Sequence, residues 1–147
     1  MEITRQADYA MRAVLHVAGL GEGERSPTSL IAAEQDVPLP FLAKIISQLA
    51  VKGIVDAMRG ASGGVRLARP AEDISLLEVV EAIDGPLSLN RCVLSPSSCK
   101  FSGTCPMHEI WLEVREDLVA KLSSVSIADL HERSVAANSM VSVAAED

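Results

Sequence analysis

Apolar residues recur at helical spacing through Met11, Val14, Leu15 and Ala18, and Thr4 stands ahead of them as a hydroxyl able to cap a first turn. The pattern predicts a helix from Thr4 to about Leu20, ended by Gly19, Gly21 and Gly23. Ser26-Pro27 has the form of an N-cap followed by proline in the first helical position. Leu30, Ile31 and Ala33 then predict a short second helix that turns near Gln35-Asp36-Val37. Pro38 and Pro40 fit only a helix start, and the apolar face of Phe41, Leu42, Ile45, Ile46 and Leu49 predicts a third helix that stops at Gly53. Two short helices around a tight turn, with a third ahead of them, make a helix-turn-helix arrangement.

The period then changes. Ile54 to Met58 and Val65 to Arg69 flank the glycine-rich tip Arg59-Gly60-Ala61-Ser62-Gly63-Gly64, which predicts a β-hairpin in the place of a wing. Ser75-Leu76-Leu77-Glu78 is a capping box, Val79, Val80 and Ile83 continue its helix, and Asp84-Gly85-Pro86 stops it. No period survives from Leu87 to Pro106, and a loop this long usually has a function. Ile110, Trp111, Val114, Leu118, Val119 and Leu122 predict a long helix, and Ser126 to Leu130 one more short turn. The Ala-, Ser- and Val-rich tail is expected to fray. The chain therefore divides into 1–86, a winged helix-turn-helix unit with its supporting helix; 87–106, a cysteine-bearing loop; 107–131, a long helix and terminal turn; and 132–147, a tail.

Composition narrows the class. With 147 residues, 48% hydrophobic and 22% charged, the chain has the size and balance of one folded domain. It shows no apolar run of membrane-spanning length and no basic-then-apolar leader at Met1, so a cytoplasmic protein with no membrane partner is expected. The net charge of −7 is unevenly spread: residues 1–70 hold eight bases and seven acids, residues 71–147 five and thirteen. From Val37 to Arg69, Lys44, Lys52, Arg59, Arg66 and Arg69 face a single acid, Asp56. A local basic surface on an acidic chain suits a polyanion partner.

Cys92, Cys99, Cys105 and His108 form the densest chemical signal. Three thiols and an imidazole within one loop and the next helix start can converge on a metal, and thiolate-rich sets favour zinc or iron-sulfur clusters. Zinc ribbons and fingers usually open with a close cysteine pair, absent here, which tilts the reading toward a cluster; incidental thiols are the alternative. An enzyme is not expected, because no Cys-x-x-Cys, phosphate-binding glycine loop or paired nucleophile and base is present. That leaves a small thiol oxidoreductase as a remote reading, and a structural-zinc or cluster-free interaction module as an alternative.

Asp8-Tyr9-Ala10, Phe41-Leu42-Ala43-Lys44-Ile45, the Arg59-to-Gly64 wing, Asp84-Gly85, Cys105-Pro106-Met107-His108 and Ile127-Ala128-Asp129-Leu130 occur in an order that resembles the bacterial winged-helix regulators of the IscR and NsrR type, over about residues 1–130. The resemblance implies a mainly α fold with a small β-hairpin wing, in which a winged helix-turn-helix is followed by a long C-terminal dimerisation helix. It implies a homodimer on a double-stranded DNA operator with dyad symmetry, acting as a transcriptional regulator, in the first instance a repressor. Arg59 would enter the minor groove and Lys44 and Gln48, exposed on the third helix, the major groove. Arg5 and Thr28 would sit where helix starts meet phosphate, and Lys52, Ser62 and Arg66 would complete the DNA face. The cofactor implied is an iron-sulfur cluster, [2Fe-2S] or [4Fe-4S], responding to redox, iron or nitric oxide status. Its ligands would be Cys92, Cys99 and Cys105 with His108, or alternatively Asp8 from the other subunit's first helix, as fourth. The dimer contact would run along Ile110, Trp111, Val114 and Leu118. Pro38, Pro40 and Phe41 depart from hydroxyl-bearing residues common in that family, so a different operator is expected.

Overall fold

Helix α1 (Arg5–Ala18) opens where the Thr4 hydroxyl accepts the Ala7 N–H at 3.2 Å, in a computed structural model that describes residues 2–144, with side-chain surroundings through 140. Its inner face is Ala7, Ala10, Ala13, Val14 and Val17, small residues that let neighbouring helices approach closely. Helices α2 (Thr28–Glu34) and α3 (Leu39–Val51) pack across it and meet at a turn where Asp36 takes φ 52°. A short polar side chain tolerates that left-handed conformation better than most, and the turn buries Val37. Helix α2 starts one residue later than its sequence suggests, with Pro27 rather than Ser26 as the cap. Ser26 is drawn into the sheet instead: it exchanges backbone hydrogen bonds with Val65 at 3.0 and 2.8 Å, and its buried hydroxyl meets His16 Nε2 at 3.0 Å.

Strands β1 (Val55–Met58) and β2 (Gly64–Leu67) pair antiparallel, Val55 opposite Leu67 and Met58 opposite Gly64. The tip between them depends on glycine in two ways. Gly60 and Gly64 adopt positive φ, and a Cβ on Gly63 would collide with the Met58 carbonyl oxygen. A single apolar core under the hairpin gathers Ile31, Leu42, Ile45, Leu49, Ile54, Val65, Ile74 and Val79.

Helix α4 (Leu76–Asp84) carries the expected capping box, both of its hydrogen bonds present between Ser75 and Glu78. Asp84 at its far end accepts the Thr4 N–H at 3.1 Å and the Thr4 hydroxyl, tying the starts of α1 and of the cysteine segment to one carboxylate. That segment holds the one-turn helix α5 (Arg91–Leu94) and a 3-10 turn at Pro96–Ser98, too short to leave a period in the sequence. Helix α6 (Pro106–Ser123) follows, with no buried residue.

The expected short turn at Ser126 is the start of a full helix, α7 (Ile127–Ala144). The expectation of a frayed tail from residue 132 is corrected as far as Ala144, and residues 145–147 lie outside the described residues. Residues 132–140 are exposed throughout, so no buried face imposes a period. The start of α7 is anchored: Ile127 is fully buried in the winged unit's core, and its N–H bonds the Ile74 carbonyl at 2.8 Å. Among the described residues no helix is long and apolar enough to cross a membrane.

Candidate nucleic-acid interface and cysteine loop

Helix α3 turns Pro40, Lys44, Ser47 and Val51 outward, opposite Leu42, Ile45, Ile46 and Leu49 in the core. Lys44, Lys52, Arg59, Arg5 and Ser62 are exposed, and among the described residues their side chains make no hydrogen bond or ion pair. Thr28, half-buried at the first position of α2, lines a cleft of about 350 Å³ with Ala43, Ser47 and Arg59, so recognition helix and wing share one face. The other two bases of the segment are engaged within the chain. Arg66 pairs with Asp56 at 3.2 Å, and Arg69 reaches Glu78 at 2.8 Å and the Asp73 carbonyl at 2.9 Å. Gln48 corrects the expectation of an exposed side chain: it sits at the edge of the buried face near Ala82 of α4, half-buried, with Oε1 enclosed and without a hydrogen-bond partner.

One residue that the sequence pattern did not single out sets the wing's position. Arg25 donates to the Asp56 carboxylate at 2.6 Å, to the Asp56 carbonyl at 3.1 Å and to the Gly64 carbonyl at 3.2 Å, clamping both strands. The Arg25 hydrogen bond, with help from Arg66, holds the Asp56 carboxyl below its ordinary range. A base just ahead of the Ser26 bridge, facing the lone acid of β1, was the available signal.

The cysteines occupy three different pieces of backbone: Cys92 in α5, Cys99 after the 3-10 turn, Cys105 at the cap of α6. All three are free thiols and half-buried. His108 stands in the first turn of α6 with its Nδ1 enclosed and unpartnered, beside a cleft of about 450 Å³ that Cys105 also lines. Among the described residues no three His, Cys, Asp or Glu side chains are gathered closely enough to hold a metal ion. The donors therefore fit a thiolate-rich centre in kind, and a buried imidazole nitrogen lacking a partner fits a ligand, but Cys92 and Cys99 do not line the cleft with Cys105 and His108. Asp8 is exposed on α1 and paired with Arg12 at 2.8 Å.

The root of this loop is held on both sides. The Leu87 N–H donates to Glu81 of α4 at 3.1 Å, and Arg115 of α6 donates to the Leu87 carbonyl at 2.7 Å. Trp111 is half-buried, its indole N–H reaching the Asn90 amide oxygen at 3.0 Å when that amide is turned to pair both its ends. The apolar stripe of α6 thus divides: Trp111 and Leu118 lie partly against their own chain, whereas Met107, Ile110 and Val114 face outward.

Known proteins give the same architecture. The chain is similar in structure to CymR (YrzC), the global cysteine regulator of B. subtilis, with a TM-score of 0.74 at 20% identity over 90% of this chain and 98% of that one. It is similar to T. potens IscR, TM-score 0.69 at 23% identity over 91% and 88%, and to Staphylococcus aureus CymR in an oxidized form, 0.72 at 21% over 90% and 97%. At these identities the likeness establishes the winged-helix fold. The sequence model of the Rrf2 family, described as an iron-dependent transcriptional regulator, matches residues 3–133. The chain belongs to the Rrf2 family of transcriptional regulators.

Proposed function

We propose that this chain is a homodimeric, cytoplasmic repressor whose affinity for a dyad-symmetric DNA operator is set by an iron-sulfur cluster. Its family is one of regulators rather than enzymes, which removes the thiol oxidoreductase reading. The observation that carries the proposal is the placement of three free, half-buried cysteines, with the unpartnered His108 nitrogen, on the one segment that joins the winged unit to α6. Cys92, Cys99 and Cys105 would hold the group, with His108 or the partner chain's equivalent of Asp8 as fourth ligand. A bound cluster, [2Fe-2S] or [4Fe-4S], supplies a cross-link that oxidant, iron supply or nitric oxide can make or break.

What the chain does with such a cross-link follows from its anchors. Drawing Cys92 and Cys99 toward Cys105 moves a loop whose root is fastened to α4 through Glu81 and to α6 through Arg115. If the outward stripe of Met107, Ile110 and Val114 pairs with a second copy, movement at this root alters the spacing of two winged units, and the DNA fixes the spacing that binds. On each unit Arg59 serves the minor groove, Lys44 the major groove, and Arg5, Thr28, Lys52 and Ser62 the backbone and flanks. Anaerobic purification with an absorption spectrum and counts of iron, zinc and sulfide tests the reading. Visible absorption with iron and sulfide in equal amounts supports it; a colourless protein with one zinc per chain, or with no metal, overturns the cluster.

A further inference from the structure

The outward face of α3 is unusually poor in groups that can hydrogen-bond a base. Leu39 and Phe41 are 46% and 53% exposed, Pro40 is exposed between them, and Val51 at the far end is 86% exposed. Pro38 and Pro40 also remove two of the N–H groups that a helix start ordinarily presents, and the Phe41 N–H is taken by the Pro38 carbonyl at 3.1 Å. Of the polar side chains on this face, Ser47 spends its hydroxyl proton on the Ala43 carbonyl at 3.1 Å, and Gln48 is half-buried. Lys44 is the one long, free donor among the described residues of the helix.

Cations flank the apolar turn. Arg5 shares a cleft of about 320 Å³ with Tyr9, Pro38 and Phe41 on one side, and Lys44 follows one turn along the helix. A strip of uncovered hydrocarbon bordered by positive charge matches a major groove, where phosphates border the base edges and the C5-methyl of thymine is the apolar feature on offer.

We propose that the start of α3 selects its half-site through thymine methyl groups packed against Leu39, Pro40 and Phe41, with Lys44 supplying the hydrogen-bonded base or phosphate contact. This rests on the DNA-binding reading above and adds what the helix recognises. Specificity then comes from burying methyl groups, so it survives changes in salt that weaken the phosphate contacts.

The test uses the full chain, in whichever metal state binds DNA, to select duplexes from a random library; each thymine of the selected half-site is then replaced by deoxyuridine, which lacks only the methyl. One or two positions per half-site are expected to lose affinity roughly fourfold each, the cost of one unburied methyl-sized group. Phe41→Ala and Leu39→Ala remove exposed side chains, so circular dichroism should match the parent, and each should bind more weakly and abolish the uracil penalty at its own position. Uracil-blind binding, or variants that keep the parental uracil penalty, would overturn the inference and leave the DNA-binding reading intact. Selection of no duplex at all would overturn both.

Discussion

Asp56 carries more of the wing than its exposed position suggests, because a single carboxylate holds Arg25 and Arg66 together. Its folded pKa lies below the unfolded one, so its contribution is present at neutral pH and disappears as pH falls through the folded value. Asp56→Asn should therefore melt below the parent at pH 7, with the gap narrowing once pH falls below the ordinary carboxylate range near about 4 and closing only below the lower folded value, where the carboxylate is protonated in both states. A gap unchanged at pH 3 would assign the loss to something other than charge. The unpaired cations have the opposite character: among the described residues no acid pairs with Arg59 or Lys44. Arg59→Ala should cost about 1–3 kcal/mol of operator binding. Lys44→Ala should lower affinity and, if the side chain meets phosphate, reduce the dependence of log affinity on log salt by about one. Parental affinity and salt slope in both variants would remove this face from the DNA contact.

The cysteine segment is built of pieces too short to stand alone, a one-turn helix and a 3-10 turn, so its conformation is the part of the fold most readily redrawn by a ligand. Each of Cys92, Cys99 and Cys105 changed to Ser should prevent cluster assembly under anaerobic reconstitution, since each lost thiolate opens a metal site to water. Comparing His108→Ala with Asp8→Ala decides the fourth ligand. If it is His108, that variant shifts the spectrum and decays faster while Asp8→Ala matches the parent; the reverse assigns Asp8. Three Cys→Ser variants that all assemble a parental cluster would take the ligands away from this loop.

Such elements were legible in the sequence to the degree that local chemistry dictates them. Thr4, the Ser75/Glu78 box, Pro38 and the Gly60-to-Gly64 tip mark their boundaries through capping, a missing N–H or a backbone angle, and each appears where the pattern puts it. Ser26 and Gln48 were misread because tertiary neighbours, Val65 with His16 and α4 respectively, decide their surroundings. Helix α7 beyond Leu130 was illegible because hydrophobic periodicity reports a buried face, and residues 132–140 are exposed throughout. The loop's ligand chemistry was legible from residue type, whereas its gathering was not, since nothing in the spacing says whether the chain alone brings four donors together.

At the level of the whole molecule, an 18-residue helix without one buried residue is an unfinished surface. Met107, Ile110 and Val114 stand exposed at spacings of three and four along α6, an arrangement that a second copy in antiparallel or crossed contact can cover. Ile110→Glu with Val114→Glu should give folded monomers by sedimentation, with operator binding weakened because two half-sites are no longer held by one particle. A double variant that stays dimeric would place the contact elsewhere. Along the chain the charge is divided in the same sense, with thirteen of the twenty acids in residues 71–147 and a single acid against five bases in residues 37–69, the segment of α3 and the wing. The proposed control of DNA binding by the cysteine loop would be a coupling free energy, measured by titrating one operator with the anaerobically reconstituted chain and with the same preparation after its iron is removed. The two affinities should differ by about tenfold or more, within the usual 1–3 kcal/mol range for linked sites, and the three Cys→Ser variants should all match the iron-free value. Equal affinity for the two preparations, or a chain that takes up no iron under these conditions, would contradict cluster control of DNA binding.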